Sequence, residues 1–256
     1  MKQTKKTHNL LIILLFIIGA GFICYPIIKN TVTIINIKEQ EITETKVFPQ
    51  AVSENERIEL PTAESYLTAS KEDINDAVGQ LSIPSVKIET PLFAGLHNQE
   101  LLYGAGLMYP ERSIEKDNIV VLGHHLGISD LLLGNLTKVS LHDKIYFRLL
   151  DKTYQYTIIE KKLVHEEDIE VLANTPSPQL TLITCDEPTI TDQRIVVTAK
   201  LEEEKSAKQS LSTVKAAEQK NRQELVQKSF IKYGLGPILL VLTVVTFGSW
   251  CIWRYV

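Results

Sequence analysis

Residues 181–185, Thr181-Leu182-Ile183-Thr184-Cys185, read as a short strand that delivers a thiol to its end, and an arginine, Arg194, follows on the next apolar run. A thiol does acyl chemistry only as thiolate, so it needs a nearby cation or base, and histidine is the usual supplier. The apolar run Asn118-Ile119-Val120-Val121-Leu122-Gly123 ends on His124, followed at once by His125. Adjacent residues on a strand point to opposite faces, so only one of these histidines can face Cys185. Arg194 brings a fixed charge and a planar fork of donors suited to an oxyanion or a substrate backbone. Its bland alternative is a salt bridge to Asp186, Glu187 or Asp192, all close in sequence. A thiol, an imidazole and a guanidinium at three strand ends form a candidate acyl-transfer site.

Around that core the chain shows further short strands, at Ile145–Leu149, Tyr154–Ile159, Leu180–Thr184 and Ile195–Ala199. They are separated by turn signals such as His142-Asp143 and Asn174-Thr175-Pro176-Ser177-Pro178. Many short strands with few helices predict a mainly β fold, a closed or nearly closed barrel over residues 78–201.

The ends of the chain differ from this middle. Leu10–Ile28 and Leu235–Trp253 are uncharged apolar runs close to the roughly 20 residues that a helix needs to cross a bilayer. Lys2, Lys5 and Lys6 place residues 1–9 on the cytoplasmic side by the positive-inside rule. The first run exceeds the roughly 7–15 residues of a signal-peptide core and lacks an Ala-x-Ala-like site after Phe22, which favours an uncleaved anchor. The second run finishes on Trp250, Trp253 and Arg254, an interfacial pattern, and returns residues 254–256 to the cytoplasm. Residues 29–77 are polar and read as an extracellular linker. Residues 202–234, rich in Glu, Lys, Gln and Ala, read as a solvated helical stalk.

A net charge of −4 across 256 residues gives no basic field for nucleic acid. With Cys24 and Cys251 in the apolar runs, Cys185 is the only thiol left outside them, so no intrachain disulfide is expected there. No His/Cys spacing matches a zinc site. His97, His142 and His165 read as surface or turn residues.

The segments GHHLGISDLLLGNL (123–136) and TLITC (181–185) with downstream Arg194 resemble the sortases, and most closely their class A members. The resemblance begins near Gly79, in GQLSIPSVKIETPLFAGLHNQELLYGAGLMYP, and runs to about Leu201, roughly half the chain. It implies an eight-stranded sortase-type barrel with short helices, which the apolar runs would flank with N- and C-terminal transmembrane helices. It implies Cys185 as nucleophile, His124 as general acid and base because it directly follows Gly123, and Arg194 as the oxyanion or substrate clamp. Thr184, Asp186 and His125 are supporting residues: the Thr184 hydroxyl and the Asp186 backbone N–H as further oxyanion donors, His125 on the rim.

The implied reaction cleaves LPXTG-type sorting signals between Thr and Gly through a thioester and passes the acyl group to the amine of a peptidoglycan precursor such as lipid II. The implied setting is the outer face of a Gram-positive cell membrane, and the two apolar runs make the expected protein two-pass. No cofactor is required. Glu111, Glu115 and Asp117, with Glu166, Glu167 and Asp168, resemble the calcium loops of some class A members, with solvated carboxylates as the plainer reading. Two rival functions remain at this level, a class C-like pilin polymerase and a non-catalytic membrane-held β-domain. A C-terminal crossing is more typical of class C, whereas the class C lid is missing from residues 29–78.

Overall fold

The structure is a computed structural model that describes residues 2–39, 42–49, 52–69, 74–127, 131–202 and 231–255. It divides into two compact units, residues 1–38 with 225–256, and residues 39–224.

The larger unit is built on eight strands: β1 (Gly79–Ile83), β2 (Ile88–Ala94), β3 (Ala105–Leu107), β4 (Asn118–Gly123), β5 (Lys144–Leu149), β6 (Lys152–His165), β7 (Gln179–Cys185) and β8 (Gln193–Leu201). They close in the order β1-β2-β3-β4-β7-β8-β6-β5, with β5 pairing back to β1, so the sheet has no free edge there. The ladders are antiparallel except β2–β3 and β4–β7. The expected mainly β closed barrel is the observed one.

Strand alternation sends Ile119 and Val121 of β4, Leu180 and Leu182 of β7, and Val197 and Ala199 of β8 into the core, with Leu81, Leu92, Phe147 and Tyr156. The opposite face of the same three strands is also apolar. Val120, Ile183 and Val196 form a second buried cluster outside the barrel, against which Met108, Tyr109, Leu122, Val164, Val171 and Leu172 pack. A wall apolar on both faces must be covered on both, and here residues 171 and 172, in the connection between β6 and β7, supply the outer cover.

Residues 29–77 differ from the expected linker. The first helix, α1 (Lys2–Glu39), runs well past residue 28. The chain after it lies along the barrel as a strap. The Thr45 N–H donates to the Ala77 carbonyl and the Ala77 N–H to the Thr43 carbonyl, at 2.9 and 2.8 Å. Asn55 accepts from the Leu96 N–H at 2.9 Å and donates to the Met108 carbonyl at 3.0 Å. A short helix, α2 (Ala63–Thr68), starts on a Thr62–Ser65 capping box and buries Tyr66 edge-on against Tyr103. His97, expected at the surface, lies buried beneath this strap with Nε2 3.2 Å from the Ser53 hydroxyl. It precedes a one-turn helix, α3 (Asn98–Leu101). His142 does occupy a turn, with a positive φ of 72°.

The smaller unit pairs α1 with α4 (Gly236–Tyr255). Phe16 fills the notch left by Gly248, where a Cβ would come within 2.6 Å of the ring. Both helices are long and apolar enough to cross a membrane, over Leu10–Ile37 and Gly236–Arg254. Of the expected stalk, residues 203–230 lie outside the described residues.

Candidate active site

Register decides what meets at the end of β7. β7 and β8 are antiparallel partners in which Cys185 stands opposite Arg194, Ile183 opposite Val196 and Thr181 opposite Thr198. β4 and β7 run parallel, with Val120 level with Thr181 and Leu122 with Ile183. Extended two positions past its last pair, this register would set residue 124, which follows the end of β4, level with Cys185. Since side chains alternate, Cys185 and Arg194 share the face that carries Ile183 and Val196. Both therefore stand on the outer wall of the barrel, at the end of its apolar strip.

Local sequence fixes each placement. Position 123 is tight: a Cβ there would approach Leu133 carbons to 2.9 Å and the Ala105 methyl to 3.3 Å, so any larger residue would have to displace the Leu133 side chain. The Thr184 hydroxyl donates to the Gly123 carbonyl at 2.8 Å, locking the end of β7 to the end of β4. That bond corrects the expectation for Thr184, whose hydroxyl is buried and spent on a cross-strand tie instead of facing an oxyanion. The Asp186 N–H is also engaged, though at 3.4 Å, by the Gln193 carbonyl.

The two histidines follow the end of β4. His124 is 6% exposed, and its Nε2 is buried with no hydrogen-bond partner among the described residues. Desolvation lowers its pKa to about 4, so the ring is neutral at pH 7. His125 places Nδ1 3.1 Å from the Cys185 carbonyl, bracing that residue's backbone. Cys185 is half-buried, and its thiol is pushed up by desolvation, pulled down by Arg194, and pushed up again by Asp186 and Glu166.

Arg194 is held from three points. One terminal nitrogen donates to the Thr191 and Gln193 carbonyls at 2.7 and 2.9 Å. The other is paired with Glu166, not with Asp186, Glu187 or Asp192.

Three of the carboxylates considered for calcium have partners within the protein. Asp117 accepts from the Ser113 N–H and from Asn174, Asp168 accepts from the His165 N–H, and Glu166 holds Arg194. Among the described residues no three His, Cys, Asp or Glu side chains are grouped as metal ligands.

Known proteins match this arrangement. The Sortase domain family matches residues 81–202. Sortase A of Listeria monocytogenes is 34% identical over 207 residues, covering 77% of this chain and 91% of its own. The chain belongs to the sortases. Sortase A of Streptococcus agalactiae is 32% identical over 225 residues, 79% of this chain and 90% of its own. The crystal structure of Listeria monocytogenes sortase A superposes with a TM-score of 0.49 at 37% identity, over 50% of this chain and 89% of that one. These relatives place this sortase in class A, among the cysteine transpeptidases that anchor surface proteins.

Sequence reasoning missed the apolar outer strip of the site. Its signal was present in Ile119-Val120-Val121-Leu122, a barrel strand apolar on both faces. It also missed Glu166, which no local pattern pairs with a residue 28 positions away.

Proposed function

We propose that this sortase cleaves LPXTG-type sorting signals between Thr and Gly and transfers the acyl-threonine to an amine of a peptidoglycan precursor such as lipid II. The observation that carries this reading is the pairing of Cys185 with Arg194 at the end of β7, with His124 one residue past the end of the neighbouring β4. The half-buried apolar side chains packed over the Val120–Ile183–Val196 strip, Leu122, Val164, Val171 and Leu172 among them, suit the Leu-Pro part of such a signal.

In this reading Cys185 Sγ attacks the threonine carbonyl carbon while its proton passes to His124. The charge on the carbonyl oxygen is met by Arg194. Collapse breaks the C–N bond, the His124 ring gives its proton to the departing glycine amine, and a thioester remains on Cys185. An incoming primary amine gives a proton to His124, attacks the thioester and returns the thiol. Neutral Cys185 and neutral His124 in the resting site make the initial proton transfer costly, which favours modest turnover.

The spans Leu10–Ile37 and Gly236–Arg254 support a two-pass protein with its barrel on the outer face of a Gram-positive membrane. Confining enzyme, sorting signal and lipid-linked acceptor to one surface raises their effective concentrations without tighter contacts. The direct test offers the protein LPXTG peptides with and without a primary amine and separates the products by mass spectrometry. Cleavage after Thr, with an amine-linked product, supports the reading; intact peptide under both conditions overturns it.

A further inference from the structure

The Glu166–Arg194 pair is not explained by folding alone. Glu166 follows β6 immediately, and its backbone N–H already joins the β6 exit to the β7–β8 loop by donating to the Asp192 carbonyl at 2.7 Å. His165 adds a second tie to the same loop, with Nε2 3.4 Å from the Asp192 carboxylate. The two loops are thus connected without the Glu166 side chain. That side chain instead reaches the guanidinium standing opposite Cys185.

A guanidinium terminal nitrogen carries two hydrogens, and both on one nitrogen of Arg194 are directed at the Thr191 and Gln193 carbonyls. An incoming substrate oxygen is therefore left with the Nε–H and the second terminal nitrogen, and Glu166 already engages that nitrogen. A carboxylate there also cancels most of the guanidinium's field beyond the pair itself. Both charges act on the Cys185 thiol, with opposite signs.

We infer that Glu166 is a positioning residue that restrains Arg194 in the resting enzyme, its carboxylate competing with a substrate oxygen for that side of the fork. This rests on the assignment of Arg194 to the reacting carbonyl proposed above. The Arg194 and Glu166 side chains are 25% and 50% exposed. Pairs this exposed are weak, so a substrate can displace the carboxylate, and the restraint amounts to a few-fold in rate. The latch favours chemistry only when a peptide oxygen fills the site, which limits wasteful reaction of the thiol.

The test is a mutant cycle on the full chain in detergent micelles, measuring kcat/KM for an LPXTG peptide in wild type, Glu166→Gln, Arg194→Ala and the double variant. Glu166→Gln keeps the backbone tie to Asp192 and an acceptor oxygen while removing the charge. It is expected to raise kcat/KM about two- to fivefold, a gain at least halved in the Arg194→Ala background. Glu166→Ala, folded by circular dichroism, is expected to move the same way. Unchanged or lower kcat/KM in both Glu166 variants overturns the latch. So does an equal gain in the two backgrounds, which assigns the carboxylate's effect to the thiol directly. Full activity in Arg194→Ala alone is a different result, because it removes the role proposed for Arg194 whatever Glu166 does.

Discussion

Cys185 and Arg194 are register partners across the β7–β8 ladder, so the guanidinium and the thiol leave the sheet on the same face. Their nearness is a consequence of pairing, and the Asp186–Gln193 closure between the strands reinforces it. Arg194 is fixed in this site by the ladder rather than by its own flexible side chain.

That placement makes Arg194→Ala a test of oxyanion stabilisation. Removing one such donor group elsewhere costs on the order of 10²–10³ in rate. The expected result here is a comparable fall in kcat with KM little changed. Arg194→Lys keeps the charge and loses the fork, and should recover only part of the loss. Steady-state kinetics on a peptide substrate decides it, and a kcat within twofold of wild type in the alanine variant would contradict the role.

Burial of His124 carries a stability signature. Its folded pKa is depressed to about 4 from an ordinary value of 6.5. Above pH 6.5 both folded and unfolded chains hold it neutral, and its stabilising contribution is complete. As pH falls through 6.5 the unfolded chain takes up a proton that the folded chain refuses until about pH 4. Across that window this group removes ~3 kcal/mol of stability. Urea unfolding at pH 7 and pH 4.5 should show a larger loss for wild type than for His124→Gln. Equal losses would mean that the ring is solvated in the folded protein.

Thr184 tests the cross-strand tie. Thr184→Val keeps shape and removes the donor to the Gly123 carbonyl, at a cost of about 1–2 kcal/mol. Because His124 follows Gly123, activity should fall as well. Thr184→Ser should restore most of both, and thermal melts with matched kinetics check this. A valine variant as stable and active as wild type would make the bond incidental.

The strap makes a separate prediction. Tyr66 is buried, packs edge-on against Tyr103 and donates to the Leu102 carbonyl at 3.2 Å. A fragment spanning 39–202 should melt several degrees above one spanning 78–202, and Tyr66→Ala should remove much of that difference. Identical melting of the two fragments would show that the strap contributes nothing to the barrel.

How legible all this was in the sequence depended on whether the signal was local. The end of β7 was readable because an apolar strand stops on a lone cysteine, and the end of β4 because its apolar run stops on Gly123-His124. β3 was not, since Ala105–Leu107 is too short to show a period. β6 was recognised only in its first half. Its register shifts between Ile158 and Glu160, and the polar run Glu160-Lys161-Lys162 that follows breaks the alternation. The strap read as a linker because hydrogen bonds such as those of Asn55 hold it, and its apolar anchors, Phe48 and Tyr66, are too sparse to show periodicity. The Thr184 and Glu166 side chains took roles set by partners far away in sequence, Gly123 and Arg194.

The central claim is that Cys185 carries the acyl group. Intact-mass spectrometry of the protein after brief exposure to an LPXTG peptide without an amine tests it most directly. The account predicts added mass equal to the peptide up to its threonine, mapped to Cys185, discharged by a primary amine and absent in Cys185→Ala. Peptide cleavage that persists in Cys185→Ala, or turnover by the wild type with the acyl group on any other residue, would contradict it.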